Sequence, residues 1–144
     1  MSDRSLDDAL DALPPGGGSV TVDRGGAKAT VDVVDRDRIG VRVRGVRVDR
    51  ERPVDVEREA ATLPERLRAL PERVAPLEVA PSLGGARLRT RPDELRGRGW
   101  FEVDIEPTRT SIRRTKVDEA GERSSADWTM TREQLDRLID ETEG

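Results

Sequence analysis

The chain contains no cysteine, no histidine and no tyrosine. Without cysteine there is no disulfide, no thiolate nucleophile and no cysteine-ligated zinc or iron-sulfur site, which suits a reducing compartment. Without histidine the commonest general base and the commonest transition-metal ligand are both missing, and no Ser-His or Cys-His relay can be built. Aromatic residues are scarce: one phenylalanine and two tryptophans leave little to stack on nucleic-acid bases. No stretch approaches the ~18 apolar residues of a membrane span. Asp3, Asp7, Asp8 and Asp11 stand where a secretory leader would be basic and then apolar. These absences predict a cytoplasmic, non-enzymatic protein with no cofactor, no metal and no membrane association.

Charge is what the chain has in excess. Charged residues make up 39% of its 144 positions, yet the two signs nearly cancel to a net charge of -4. Near-cancellation, together with strict strand and helix spacing of the apolar residues, argues for a folded chain where composition alone approaches the disordered range. Lys28 and Lys116 are the only lysines, so arginine supplies almost all the positive charge. The length suits a single domain over residues 1–144.

The apolar period alternates between helical and extended. Leu6, Ala9, Leu10 and Leu13 recur at helical spacing behind a Ser5 cap, and a Pro/Gly linker over 14–18 ends that helix. From Ser19 the period is two. Gly25-Gly26 supplies the positive φ angles of a hairpin that sets Val22 opposite Ala29, Val20 opposite Val31 and Asp23 opposite Lys28. In the next strand Ile39, Val41 and Val43 continue the apolar face but are out of phase with Val46 and Val48, which predicts a β-bulge at Gly45. Thr62, Pro64 and Glu65 read as the start of a central helix with Leu63, Leu67, Leu70, Val74 and Leu77 as its stripe, kinked at Pro71. Residues 78–99 read as an irregular, mobile connection, with a short strand near Arg87–Arg89 and a helical turn near Asp93–Arg96. Trp100–Glu106, Thr110–Val117 and Arg123–Trp128 make a second meander, in which Glu102 faces Arg113 and Glu106 faces Arg109. Thr131 with Gln134 caps a final helix buried through Leu135, Leu138 and Ile139. The expected fold is α+β: an antiparallel sheet of two three-stranded meanders packed by N-terminal, central and C-terminal helices, in the order αβββα-βββα.

Four features invite a functional reading. The acids Glu102, Asp104 and Glu106 share one strand face, but their cross-strand arginines make ion pairing a better account than a metal. Arg98-Gly99-Trp100-Phe101 begins like an RNA-recognition strand, then places acids where aromatics are needed. Trp100 and Trp128 read as core filling, with interface anchoring as the alternative. The candidate partner-binding residues are Lys28, Arg42, Arg44 and Arg47, a stripe on the solvent face of the third strand with Lys28 placed opposite Arg44. Such guanidinium groups would hold an acidic protein segment or phosphates, unless they form only a solvated face guarding the sheet against aggregation. The acidity of the two terminal helices reads as solubilising.

In element order, size and acidity the chain resembles the class I type III secretion chaperone fold and its bacterial relatives. That resemblance covers most of the chain as topology; residues 78–99 and an additional C-terminal strand depart from it. It implies a non-enzymatic dimer that holds extended segments of a protein partner by helices and strand edges. The expected function is therefore protein binding, with a homodimer anticipated because the sparse apolar content would gain from burial against a second copy. The alternative is a phosphoanion or nucleic-acid binder using the arginine stripe, which a net charge of -4 disfavours.

Overall fold

Six strands carry one apolar row across the middle of the sheet: Val20, Val31, Val46, Ile112, Val103 and Leu88 are consecutive cross-strand partners, and all are buried. The computed structural model describes residues 5–72, 74–80 (side chains to residue 75), 84–90 and 99–144. Its strands are β1 (Gly18–Asp23), β2 (Ala27–Arg36), β3 (Gly40–Arg50), β4 (Val74–Ala80), β5 (Gly85–Thr90), β6 (Gly99–Glu106), β7 (Arg109–Val117), β8 (Arg123–Ala126) and β9 (Trp128–Thr131). All belong to one antiparallel sheet in the order β1-β2-β3-β7-β6-β5-β4, with β8 on β7 and β9 on β3. The helices are α1 (Leu6–Asp11), α2 (Val56–Arg66) and α3 (Arg132–Glu143). α1 packs on β1, α3 on β3 and β9, and α2 on β4 to β6, so the fold is α+β with its core between helices and sheet.

The first hairpin has the expected register, with Val22 opposite Ala29 and Asp23 opposite Lys28. Its turn differs in one respect: Gly25 has a φ of +73°, whereas Gly26 does not enter the positive region. The preceding glycine run is tightly packed. A Cβ on Gly17 would lie 2.1 Å from the Val33 carbonyl oxygen, so this link is pressed against β2.

β3 is irregular where its apolar phase slips. Gly45 pairs with Asp32 while Val43 pairs with Val33, which leaves Arg44 as the extra residue of a bulge and keeps Val41, Val43, Val46 and Val48 all buried. A second irregularity at Val34 restores the count on β2. The bulge also marks a change of neighbour. Residues 45–49 of β3 pair with β7, and residues 40–43 pair with β9. β7 and β3 separate below Gly45 and Arg113, and the run β8-β9 enters the opening, up along β7 to Ala126 and back along β3 from Trp128. Trp128 fills the apex, its ring edge-on to Phe101 at 5.0 Å between centroids.

The central helix corrects the sequence-based expectation. It starts at Val56, capped by the Asp55 carboxylate, which accepts the backbone N–H of Arg58 at 3.1 Å. Pro64 stands in its last turn, not its first, and Thr62 donates to the Arg58 carbonyl as a residue inside the helix. The helix ends at Arg66, and Leu70, Pro71 and Glu72 of the second Leu-Pro-Glu unit are not helical. Leu67, Leu70 and Val74 are buried all the same, the last of them as the start of β4. Much of the expected irregular connection is thus strand, β4 and β5 together; the helical turn expected at Asp93–Arg96 lies outside the described residues.

The terminal helices use their acids structurally. Asp7 and Asp11 of α1, one turn apart, both bind Arg132 at 3.2 and 2.9 Å, and the same guanidinium donates to the Asp37 carbonyl. Asp136 and Asp140 of α3, again one turn apart, both hold Arg24 beside the first hairpin turn. Burial works against the Arg132 charge, but the hydrogen bonds it donates to Asp11 and Asp7 outweigh it and raise its pKa.

Deleting Arg44 tests the bulge. Without the extra residue Asp32 still faces Gly45 and Val33 still faces Val43, and Val41, Val43, Val46 and Val48 keep the core face at regular two-residue spacing. The deletion is therefore expected to cost under about 1 kcal/mol. Urea unfolding measures it, and a loss of roughly 3–6 kcal/mol, as for two valines turned to solvent, would show that Arg44 is not the residue the bulge absorbs.

Candidate binding face of the sheet

The helices cover one face of the sheet, and the other is lined by charged side chains in cross-strand rows. One row runs Asp23, Lys28, Asp49, Arg109, Glu106 over five strands, alternating in sign at each step. Opposite charges set side by side across strands favour this register, whereas like charges would oppose it. Asp49 is its centre, 2.7 Å from Arg109 and 3.1 Å from Arg47. Burial tends to raise the Asp49 pKa, but Arg109 and Arg47 together hold it below the ordinary carboxylate value.

A second row places Asp32, Gly45, Arg113, Glu102 and Arg89 side by side. Glu102 is nearly buried. Its carboxylate accepts two hydrogen bonds from Arg113, at 2.8 and 3.2 Å, and one from the Trp100 indole N–H at 2.8 Å. Desolvation pushes its pKa up, yet the Trp100 and Arg113 hydrogen bonds and the charges of Arg113 and Arg87 bring it below the ordinary range. Asp104 takes Arg87 at 2.7 Å and Arg113 at 3.3 Å, and Glu106 closes the first row opposite Arg109. Glu102 and Asp104 are therefore ion-pair partners of Arg113 and Arg87, and Glu106 stands opposite Arg109. Among the described residues no group of three or more acidic side chains converges as a metal site would require.

The proposed arginine stripe divides in two. Arg42, Arg44 and Arg47 do share the exposed face of β3. Lys28 does not lie opposite Arg44: the register that pairs Arg36 with Val41 at the turn is regained beyond the two irregularities, so Lys28 faces Asp49 between two acids, and Arg47 is bonded to the same aspartate. Arg42 faces Asp35 on β2 and Thr129 on β9, and Arg44 projects from the bulge. Arg42 and Arg44 make no hydrogen bond or ion pair with described residues, while Arg47, Arg87, Arg109 and Arg113 each hold a carboxylate.

No known family model, curated protein or solved structure matches this chain.

The two tryptophans part company. Trp128 lies in the main core, whereas Trp100 alternates with it onto the charged face and is only 5% exposed because other side chains cover it. Those covers are Arg89 of β5 and Arg123 of β8, whose guanidinium carbons lie over the indole at 5.3 and 5.2 Å from its centroid. Sequence spacing puts Arg89 at the end of one expected strand and Arg123 at the start of another, and nothing in that spacing brings either to Trp100. On the helix side, Arg114 is buried against Glu72 at 3.5 Å and over the Phe101 ring at 4.7 Å. The hollow beside Glu72, about 230 Å³, is lined by Pro64, Leu67, Leu70 and other residues of the α2 end. No helix among the described residues is long and apolar enough to cross a membrane.

Glu102→Gln tests the ion pair through its pH dependence. A carboxyl whose folded pKa is depressed stabilises the fold above its unfolded value, about 4.3, and that gain disappears as pH falls through the folded value. At pH 7 the variant is expected to be less stable by about 1–2 kcal/mol, with the gap closing towards pH 3. Urea unfolding across that range measures the gap, and a gap independent of pH would rule out the charged pair as its source.

Proposed function

We propose that this chain is a non-enzymatic protein-binding domain whose partner lies across the open face of the sheet at Arg42 and Arg44. The observation that supports this reading is the uneven use of arginine on that face. Arg47, Arg87, Arg109 and Arg113 there are spent on neighbouring carboxylates, while Arg42 and Arg44 sit exposed beside the apex of β8 and β9 with no partner among the described residues. Five fixed N–H donors per side chain suit bidentate contact with a carboxylate or with backbone carbonyls. A chaperone-like or adaptor role in the cytoplasm fits the same features, since the resemblance in element order implies capture of extended protein segments. A second copy of the chain is one such partner, giving a homodimer near 32 kDa, about twice the 16.0 kDa chain.

The phosphoanion or nucleic-acid reading uses Lys28, Arg42, Arg44 and Arg47 together. Asp23 and Asp49 flank Lys28, and Asp49 also binds Arg47, so half of that set stands beside negative charge. A long polyanion would meet those acids, which favours a protein ligand.

A photo-crosslinking amino acid at position 42 or 44, in the cells that make this protein, is expected to yield protein adducts, and at position 137 on α3 far fewer. Adducts to nucleic acid, or equal yields at all three positions, would overturn the proposal. Light scattering at tens of micromolar decides the homodimer: a 16.0 kDa species removes it.

A further inference from the structure

Two guanidinium groups lie over Trp100. Arg89 reaches it from β5 and Arg123 from β8, from opposite sides of β6 and β7 in the sheet order. Each guanidinium rests on the indole, a cation–π contact that orients its plane without using its N–H donors. Neither arginine makes a hydrogen bond or ion pair with described residues. Among the described residues, Glu102 beside the indole is already occupied by Trp100 and Arg113. The indole is itself fixed by that bond to Glu102, so the two guanidinium groups are held on a rigid support.

We propose that Arg89 and Arg123, braced on Trp100, form an oxyanion clamp that receives the carboxylate side chains of an acidic peptide segment. The proposal rests on the protein-binding reading above and names the chemistry by which that partner is recognised. Stacked guanidinium groups with free edges present two parallel N–H donors to a carboxylate. Alternate glutamates on an extended segment point the same way about 7 Å apart, within reach of two groups that each lie about 5 Å from one ring centre. A short acidic segment suits the surroundings better than a polynucleotide. The adjoining rows carry Asp104 and Glu106 on β6 and Asp49 on β3, which a uniform polyanion would have to cross.

The probe is a fluorescein-labelled Glu-Ala-Glu-Ala-Glu peptide, followed by anisotropy at low ionic strength, with Gln-Ala-Gln-Ala-Gln as the uncharged control. The native chain is expected to bind the acidic peptide at least tenfold more tightly than the control, with a change in tryptophan emission as the guanidinium groups engage. Arg89→Gln/Arg123→Gln should weaken binding tenfold or more. Arg109→Gln, which removes a charge from the alternating row, should change it less than twofold. Arg89→Lys/Arg123→Lys keeps the charge without the planar fork and should fall between, so a general electrostatic effect is separable from the clamp. Thermal unfolding of each variant identifies any that fail to fold, and the lysine variant then carries the comparison. Unchanged affinity in a folded glutamine or lysine variant would overturn the clamp, as would equally tight binding of a labelled oligothymidylate of the same charge. Crosslinking at positions 42 and 44 answers separately, so the clamp can fail while the protein-binding reading stands, and the reverse.

Discussion

β3 bears the constraint on which the rest of the structure depends: one edge of a single strand must serve two partners. Its upper half is hydrogen-bonded to β7 and its lower half to β9, and the bulge at Arg44 and Gly45 lies at the changeover. A bulge increases local twist and bends the strand that carries it, which lets β3 lean away from β7 and admit another pair of strands. β8 and β9 fill that opening, and Asp127 is the one residue between them. The apex needs a large side chain, and Trp128 supplies it, braced by Phe101, which lies in turn beneath the buried Arg114. In a chain this poor in aromatics, placing two of the three at one junction says where packing demand is greatest.

The helices are held to this sheet by a repeated device. A pair of aspartates one turn apart on a helix closes on a single arginine from elsewhere, Asp7 and Asp11 on Arg132, Asp136 and Asp140 on Arg24. Residues i and i+4 share one helical face, so two carboxylates can meet one guanidinium fork with little rearrangement. Arg132 would be poorly placed by the helix dipole alone, since it is the first residue of α3, where positive charge is disfavoured. Its two aspartates and the Asp37 carbonyl offset that cost and join α1, α3 and the β2-β3 turn at one point. The acidity of the terminal helices is therefore part of their docking, and solubility is a by-product.

What could be read from the residues was whatever depends on near neighbours in the chain. The Val20–Val31 register, the slip at Gly45, the Glu102–Arg113 pairing and the Thr131–Gln134 capping box all follow from alternation, turn residues or a three-residue spacing. The central helix was misplaced because Leu63-Pro-Glu-Arg imitates a helix start, while the true cap, Asp55, stands before a run of charged residues with only Val56, Ala60 and Leu63 as its stripe. β4 was hidden by Pro71 and Pro76 in a segment with a plausible heptad. The Arg89–Trp100–Arg123 cluster was beyond local reading, since it joins three strands and depends on a strand order that spacing cannot supply.

Arginine was abundant enough in the sequence that no single one stood out, and its meaning emerges only from the charge balance of the folded surface. On the open face Arg47, Arg87, Arg109 and Arg113 are neutralised within one strand of their position, as expected where exposed charge also protects a sheet from unwanted pairing. Exposed pairs of this kind contribute little stability individually, about 0–1 kcal/mol, so their regular alternation is better understood as setting register and restraining association. Against that background an arginine left without a carboxylate carries information. Arg42 and Arg44 at the fork, and Arg89 and Arg123 on Trp100, are such residues, and both pairs lie on the side that no helix covers. A fold that neutralises charge this thoroughly elsewhere leaves its unspent donors where a partner would supply the missing acids.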